Sequence, residues 1–279
     1  MGLLDGKVAI ITGAAGGLGR GAVAALVEDG ASVVAACRTE ESAKTLVEDF
    51  AAAGHEIVAV PTDVGTEEDV KRLVRTAVET YGHLNILVNN AAATSPAIFG
   101  RDTVITDLDP EIFAETIRVN VIGYALGAKH AIPEMIHAGG GVIINTSSVD
   151  GIRAPFGRAM YAASKSAVDA LTRSIATQYG RRGIRAVGIS PGPIITEGAR
   201  RVVPKEMIDR IERQLLTPRS GLPEDFGYLA AFLASDRAGY LTGLTIQLDG
   251  GISAHWPDYA EELAAVLASS DPDVRAPRT

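Results

Sequence analysis

Three residues in the middle of the chain, Ser148, Tyr161 and Lys165, have the types and spacing of a proton-transfer site. A helix would place Tyr161 and Lys165 on one face, because they lie four positions apart. A cation beside a phenol favours tyrosinate, so we expect Lys165 to lower the Tyr161 pKa from its usual value of about 10. A Ser148 hydroxyl arriving from a preceding strand would hold a substrate oxygen beside the phenol. This chemistry suits a carbonyl or an alcohol.

A glycine-rich loop lies near the start of the chain, between an apolar run and an amphipathic segment, at residues 12–19. Its glycines follow the pattern Gly-x-x-x-Gly-x-Gly. Gly13 would permit the tight turn, Gly17 the approach of a pyrophosphate, and Gly19 the packing of helix on strand. The N-terminus of the following helix would supply free N–H groups and the positive end of its dipole. The loop therefore predicts a dinucleotide site.

Composition excludes several other classes of protein. The net charge is −8 and we see no basic stripe, which argues against nucleic acid as a partner. No apolar run is long enough to span a bilayer, so we expect no membrane contact. The five histidines have no metal-ligand spacing, and we expect no metal. The one cysteine, Cys37, excludes an internal disulfide framework and predicts a reducing, cytoplasmic location.

The elements that would position these residues alternate along the chain between continuous apolar strands and amphipathic helices. Such alternation predicts one α/β domain, a Rossmann-like, doubly wound parallel sheet of about seven strands. The predicted strands are residues 7–12, 31–37, 56–61, 84–89, 141–147, 185–190 and 244–248. The predicted helices are residues 17–29, 40–53, 66–81, 109–137, 158–179, 204–215, 223–234 and 259–268, with a capping box at Thr66 and Asp69.

The motifs together resemble the short-chain dehydrogenase/reductase family. The resemblance rests on the glycine loop, Asn89-Asn90-Ala91, Asn120, the Ser148–Tyr161–Lys165 set and Pro191-Gly192, and it covers residues 5 to about 251. It implies a cofactor-binding catalytic domain at residues 1–251, followed by a C-terminal extension at 252–279 whose polar end we expect to be disordered. One departure is Ala92, where the family usually has glycine.

The resemblance implies that Tyr161 is the general acid–base and that Ser148 holds the substrate oxygen. Lys165 would lower the Tyr161 pKa and bind the nicotinamide ribose, and Asn120 would support a water that links Lys165 to solvent. The implied cofactor contacts are Gly13, Gly17, Leu18, Gly19, Arg38, Asp63, Val64, Asn90, Tyr161, Lys165, Pro191, Gly192, Ile194 and Thr196.

The end of the second predicted strand selects the cofactor. A carboxylate there would bind the adenosine ribose hydroxyls and repel a 2′-phosphate. Cys37 occupies that position, and Arg38 follows it as a possible partner for the phosphate. By resemblance this pattern favours NADP(H), while NAD(H) remains possible. The alternative for Arg38 is a solvated surface charge. Asp63 matches the acidic position that contacts adenine in the family, although a turn-capping role fits its spacing equally well.

The expected partner is a small carbonyl or alcohol, and apolar residues such as Ile152, Phe156 and Met160 suggest that it is hydrophobic. His255 and Trp256 are further candidates for the substrate pocket, and residues 194–217 for a mobile lid. By resemblance we expect a homodimer or homotetramer built on the helices at 109–137 and 158–179.

The sequence leaves three alternative functions. They are an NAD-dependent alcohol dehydrogenase of the same family, a catalytically silent dinucleotide-binding sensor, and a nucleotide-sugar epimerase or dehydratase of the related extended group. The Gly-x-x-x-Gly-x-Gly spacing and the lack of a long substrate domain argue against the last.

Overall fold

The computed structural model describes residues 2–196 and 203–268. In these residues, seven parallel strands form one sheet in the order β3-β2-β1-β4-β5-β6-β7. The strands are β1 (Val8–Thr12), β2 (Ser32–Cys37), β3 (Val58–Pro61), β4 (Ile86–Asn89), β5 (Gly141–Thr146), β6 (Ile184–Pro191) and β7 (Thr245–Leu248). The predicted fold class is confirmed, and the order reverses between β1 and β4, where doubly wound sheets bind ligands.

Helices cover both faces of the sheet. They are α1 (Gly17–Glu28), α2 (Glu40–Ala52), α3 (Glu67–Tyr81), the single turn α4 (Pro96–Phe99), α5 (Pro110–Ile117), α6 (Gly123–His137), α7 (Ala159–Tyr179), α8 (Lys205–Glu212), α9 (Pro223–Ala234) and α10 (Tyr259–Ala268). Strand residues alternate between two cores: Ile11 packs with α1, α2 and α9, whereas Ile10 packs with α3, α6 and α7. Burial on both faces explains why the strands read as continuous apolar runs.

Two local predictions need correction. The predicted helix at 109–137 is divided by a π-helical turn, Arg118–Ile122, between α5 and α6. This turn holds Asn120, whose side chain bonds to neighbouring elements. The predicted capping box of α3 is wrong: Thr66 makes no side-chain cap, and the Asp69 carboxylate accepts the backbone N–H of Asp63 instead.

None of the helices within residues 2–196 and 203–268 has the length and apolar character needed to cross a membrane. The predicted polar end, residues 269–279, and part of the predicted lid, residues 197–202, lie outside the described residues.

Candidate active site

The carboxyl ends of β1, β4, β5 and β6 open into one cleft of about 960 Å³. The sheet brings them to the same edge because its strands are parallel. The cleft is lined by residues from the glycine loop at one end and by Ser148, Tyr161 and Lys165 at the other. The structure therefore joins the two sites that the sequence predicts separately, a dinucleotide cradle and a proton-transfer site.

The backbone of the glycine loop explains its composition. Gly13 has a φ of +65°, and a Cβ on Gly19 would lie only 2.1 Å from the Gly13 carbonyl oxygen. No side chain caps the N-terminus of α1, where Gly17 and Leu18 border the cleft. Free N–H groups at a helix N-terminus suit a pyrophosphate. A nicotinamide dinucleotide thus fits the residues present.

Asn90 holds this loop against β4. Its side-chain amide donates to the carbonyl oxygens of Thr12, at 3.0 Å, and Gly13, at 3.2 Å. The Thr12 hydroxyl in turn accepts the backbone N–H groups of Asn90 and Ala91. Asn90 borders the cleft, as the sequence predicts, and its amide also fixes the shape of the loop.

Tyr161 and Lys165 lie one turn apart on α7, with the Lys165 Nζ 5.5 Å from the centre of the Tyr161 ring. The Lys165 ammonium donates to the Thr146 carbonyl oxygen at 2.7 Å and contacts the Tyr124 hydroxyl at 3.4 Å. Ser148 follows the end of β5, and its hydroxyl accepts the backbone N–H of Asp150 at 3.1 Å. Ser148, Tyr161 and Lys165, three of the four predicted catalytic residues, therefore line the same end of the cleft.

Burial dominates the protonation of this site. It raises the Tyr161 pKa to about 12, although a hydrogen bond with Ser148 acts in the opposite direction. It lowers the Lys165 pKa to about 7. The Tyr161 pKa is thus raised rather than lowered in the protein alone, because desolvation outweighs the Ser148 hydrogen bond and the Arg158 charge, and the predicted lowering by Lys165 is not seen. Tyr161 keeps its proton at neutral pH and is ready to donate it.

Asn120 lies fully buried in the π-helical turn beside this site. Its carbonyl oxygen accepts the backbone N–H of Ala93 at 2.8 Å, and its amide donates to the Ser164 hydroxyl at 2.9 Å. Ser164 donates to the Tyr161 carbonyl oxygen at 2.7 Å. Asn120 is thereby linked to the backbone of α7 at Tyr161, and its predicted support of a water near Lys165 stays a prediction.

The cleft continues past the end of β2, where Arg38, Asp63 and Val64 line its wall. The Asp63 carboxylate binds Arg118 at 2.9 Å and accepts the Gly65 N–H. Burial alone would raise the Asp63 pKa, but these hydrogen bonds lower it overall. Asp63 therefore has protein partners, and its predicted contact with adenine stays a prediction.

The segment after β6 closes the other wall. Ile194 pairs with Gly221 through an isolated β-bridge, and Thr196 lies close to Gly17. The predicted residues on this wall are Pro191, Gly192, Ile194 and Thr196. Met207 and Ile211 of α8 also border the cleft, so part of the predicted lid region contributes to it.

Several residues at the site were not predicted. Phe99 contacts the Tyr161 ring edge-on, with 5.3 Å between the ring centres. Asp102, Asp150 and Arg158 surround the same tyrosine. Phe99 ends the single turn α4, and the other three lie in the connections after α4 and β5, where no periodicity of the sequence indicates which side chains meet.

Some candidates for the substrate wall lie elsewhere. Phe156 is 96% exposed and Trp256 is 82% exposed. The His255 ring contacts the Gln214 carbonyl oxygen at 2.7 Å. From the C-terminal segment it is Ile252 that borders the cleft. Within the described residues, no three His, Cys, Asp or Glu side chains are grouped as a metal site.

Comparison with known proteins identifies the class. A family model described as enoyl-(acyl carrier protein) reductase matches residues 13–253. A probable short-chain type dehydrogenase/reductase of Bradyrhizobium diazoefficiens is 38% identical over 261 residues, which cover 94% of this chain and 92% of that protein. 3beta-hydroxysteroid dehydrogenase 2 of Eggerthella lenta is 37% identical, covering 91% of this chain and 97% of its own. A solved structure of 7alpha-hydroxysteroid dehydrogenase, complexed with NADH and 7-oxo glycochenodeoxycholic acid, matches with a TM-score of 0.82 at 31% identity, covering 89% of this chain and 94% of that one.

The chain belongs to the short-chain dehydrogenase/reductase family. It is an oxidoreductase that transfers a hydride between a nicotinamide cofactor and a CH–OH or C=O group of a small molecule. The predictions of the family and of this reaction are confirmed.

Proposed function

We propose that the protein interconverts a ketone and a secondary alcohol on an apolar, ring-containing molecule, with NADP(H) as the preferred cofactor and Tyr161 as the general acid–base. The observation that carries this proposal is the meeting of Ser148 and Tyr161 in the cleft that also holds the glycine loop. A protein that only bound a dinucleotide would have no need of a buried tyrosine beside a lysine. This argues against a silent sensor.

In the direction of reduction, a nicotinamide cofactor held by the glycine loop would supply a hydride to the carbonyl carbon. Ser148 and Tyr161 hydrogen-bond the carbonyl oxygen and orient it. Tyr161 donates its phenolic proton to the developing alkoxide, so that the substrate gains one hydride and one proton. Lys165 and the water that we assign to Asn120 would return a proton to Tyr161. Oxidation runs through the same groups in reverse.

The preference for NADP(H) rests on the wall beyond β2. Cys37 leaves this position without a carboxylate, and the hydroxyl-bearing residues Thr39 and Ser42 line the wall together with Arg38. Arg118 is bound to Asp63 and Glu115. Of the described cations on this wall, Arg38 is therefore the one we assign to a 2′-phosphate. The other candidate is NAD(H), which the related 7alpha-hydroxysteroid dehydrogenase structure contains.

The proposed substrate class rests on the cleft and on the relatives. Apolar side chains form much of the wall near Tyr161, including Phe99, Met207, Ile211 and Ile252. Three relatives are named as hydroxysteroid dehydrogenases and another, from Sphingobium indicum, as a dehydrogenase of a chlorinated cyclohexadiene diol. A hydroxyl or ketone on an apolar ring fits both observations.

We also propose a homodimer or homotetramer in which an apolar groove between α6 and α7 is covered. Ile132, Ile136, Leu171 and Ile175 line this groove. The mass measured by light scattering would test this assembly. The free thiol of Cys37 is buried, and we propose a reducing, cytoplasmic location for the protein. The division of the chain at residue 251 into a catalytic domain and a C-terminal extension stays a prediction.

The function is tested by following cofactor absorbance at 340 nm with cyclic ketones and alcohols, in both directions and with both nicotinamides. An enoyl thioester belongs in the panel, because the matching family model carries the name of an enoyl reductase. We expect turnover of ring ketones with NADPH and none of the thioester. Reduction of the thioester alone would overturn the proposal.

A further inference from the structure

Asp150 and Arg158 form an ion pair inside the cleft, close to Tyr161. The Arg158 Nη2 lies 3.1 Å from the Asp150 Oδ2, and both residues line the cleft. The Asp150 side chain is 15% exposed and the Arg158 side chain 43% exposed. The guanidinium therefore keeps a face open to a ligand, while the carboxylate is largely enclosed.

The pair is held in place by the same elements that hold the catalytic residues. The backbone N–H of Asp150 donates to the Ser148 hydroxyl. The Arg158 guanidinium lies 5.6 Å from the centre of the Phe99 ring, which makes a T-shaped contact with the Tyr161 ring. A polar group of a bound molecule near Tyr161 would therefore be within reach of the pair.

The backbone conformation of Arg158 is one that is typical of residues at functional sites. Within the described part of the chain, Arg158 is the only non-glycine residue with a positive φ, 62°. The backbone N–H of Arg158 donates to the Asp102 carbonyl oxygen at 3.0 Å, which secures this conformation. Non-glycine residues in left-handed backbone are concentrated at functional sites, where the surrounding structure maintains the strain.

The chemistry of the pair selects its ligand. Most of the surrounding wall is apolar, so a charged pair is an unusual lining there. The two charges oppose one another, and a carboxylate attracted by Arg158 would be repelled by Asp150. A neutral hydroxyl has no such conflict, because it donates to a carboxylate and accepts from a guanidinium at the same time.

We propose that Asp150 and Arg158 bind a second hydroxyl on the substrate, distinct from the one that reacts. This inference rests on the proposed function and narrows its substrate class to ring compounds that carry at least two oxygens. The second hydroxyl donates to the Asp150 carboxylate and accepts from the Arg158 guanidinium. The pair then determines specificity, while Ser148 and Tyr161 act on the reacting oxygen.

The test compares the binding of two probes to the enzyme with reduced cofactor, so that an alcohol cannot react. The probes are a saturated four-ring steroid with one hydroxyl and the same ring with a second hydroxyl, and calorimetry gives each Kd. The variants are Asp150→Ala and Arg158→Gly. Glycine at position 158 accepts the positive φ that Arg158 adopts. The Asp150→Ala variant keeps the hydrogen bond from the backbone N–H of residue 150 to the Ser148 hydroxyl. Glu67→Ala, which breaks the surface contact with Lys129, is the control.

We expect the wild type and the control to bind the diol about tenfold more tightly than the mono-alcohol, and both variants to lose most of this preference. Equal binding of the two probes by the wild type, or binding of neither, overturns the inference. A preference for the diol that persists in both folded variants also overturns it. Failure of the proposed function shows separately, as absent turnover of either alcohol with oxidised cofactor while the diol preference is intact.

Discussion

The carboxylate of Asp102 accepts a 2.9 Å hydrogen bond from the backbone N–H of Tyr161. It also accepts the N–H of Met160, at 3.1 Å, and it is 5% exposed. Arg158 precedes α7 without providing a side-chain cap, so Asp102 satisfies N–H groups that the first turn leaves free. The segment between β4 and α5 thereby fixes the position of Tyr161, the proposed proton donor.

We expect Asp102→Ala to lower kcat about tenfold or more while the KM for the cofactor changes less than threefold. Small displacements of a reacting group cost large factors in rate. The pH at which kcat changes should stay as in the wild type, because Asp102 acts on position. Asp102→Asn keeps one acceptor oxygen and should recover part of the loss. Steady-state kinetics across pH measure all three effects.

Asp109 provides the matched control, because its carboxylate caps α5 through the N–H of Glu111. Asp109→Ala should lower stability by about 1 kcal/mol without a comparable effect on kcat. If Asp102→Ala and Asp109→Ala gave the same kcat, Asp102 would be only a helix cap.

The contact of Asp102 with α7 could not be predicted from the sequence, whereas the fold and the local motifs could. Apolar periodicity predicts the sheet and most helices, because burial selects residue type along a whole element. The glycine loop and the Tyr161–Lys165 spacing are local patterns and predict their own geometry. Asp102 meets α7 across a gap of more than fifty residues, and Arg158 adopts a backbone that its residue type does not suggest. The raised Tyr161 pKa depends on burial, which spacing alone does not report.

The glycine loop gives a second prediction. In Gly19→Ala the new Cβ would lie 2.1 Å from the Gly13 carbonyl oxygen, so the loop must move. We expect the Kd for the cofactor, measured by nucleotide fluorescence, to rise more than tenfold. In Gly180→Ala, outside the cleft, the new Cβ also meets no protein atom within 4 Å, and the Kd should stay within threefold. Equal effects of the two substitutions would contradict the assigned geometry.

We propose that Arg38 makes the protein prefer NADP(H) over NAD(H). Arg38→Ala should weaken NADPH binding about 10- to 100-fold, because it removes a charged partner of the 2′-phosphate. The binding of NADH should change less than threefold. Arg38→Lys keeps the charge and should give an intermediate NADPH affinity. The role fails if Arg38→Ala weakens both cofactors alike.

Burial of Lys165 predicts a pH dependence of stability. The pKa of Lys165 in the folded protein is about 7, against an ordinary value of 10.5 for lysine. Between these pH values the unfolded chain binds more protons, so the free energy of unfolding should rise with pH from about 7. Tyr161 acts oppositely above about pH 10, because its folded pKa is raised. Urea unfolding between pH 7 and 9.5 should show a steeper rise for the wild type than for Lys165→Met. Parallel curves would show that Lys165 is already charged in the folded protein.

The central claim is that Tyr161 transfers the proton. Tyr161→Phe removes only the hydroxyl, and the ring can still pack against Phe99. Measured with the best ring ketone from the panel, its kcat should fall by about 100- to 10,000-fold. The Kd for NADPH should stay within threefold of the wild type. Near wild-type turnover in Tyr161→Phe, with cofactor binding intact, would contradict the mechanism.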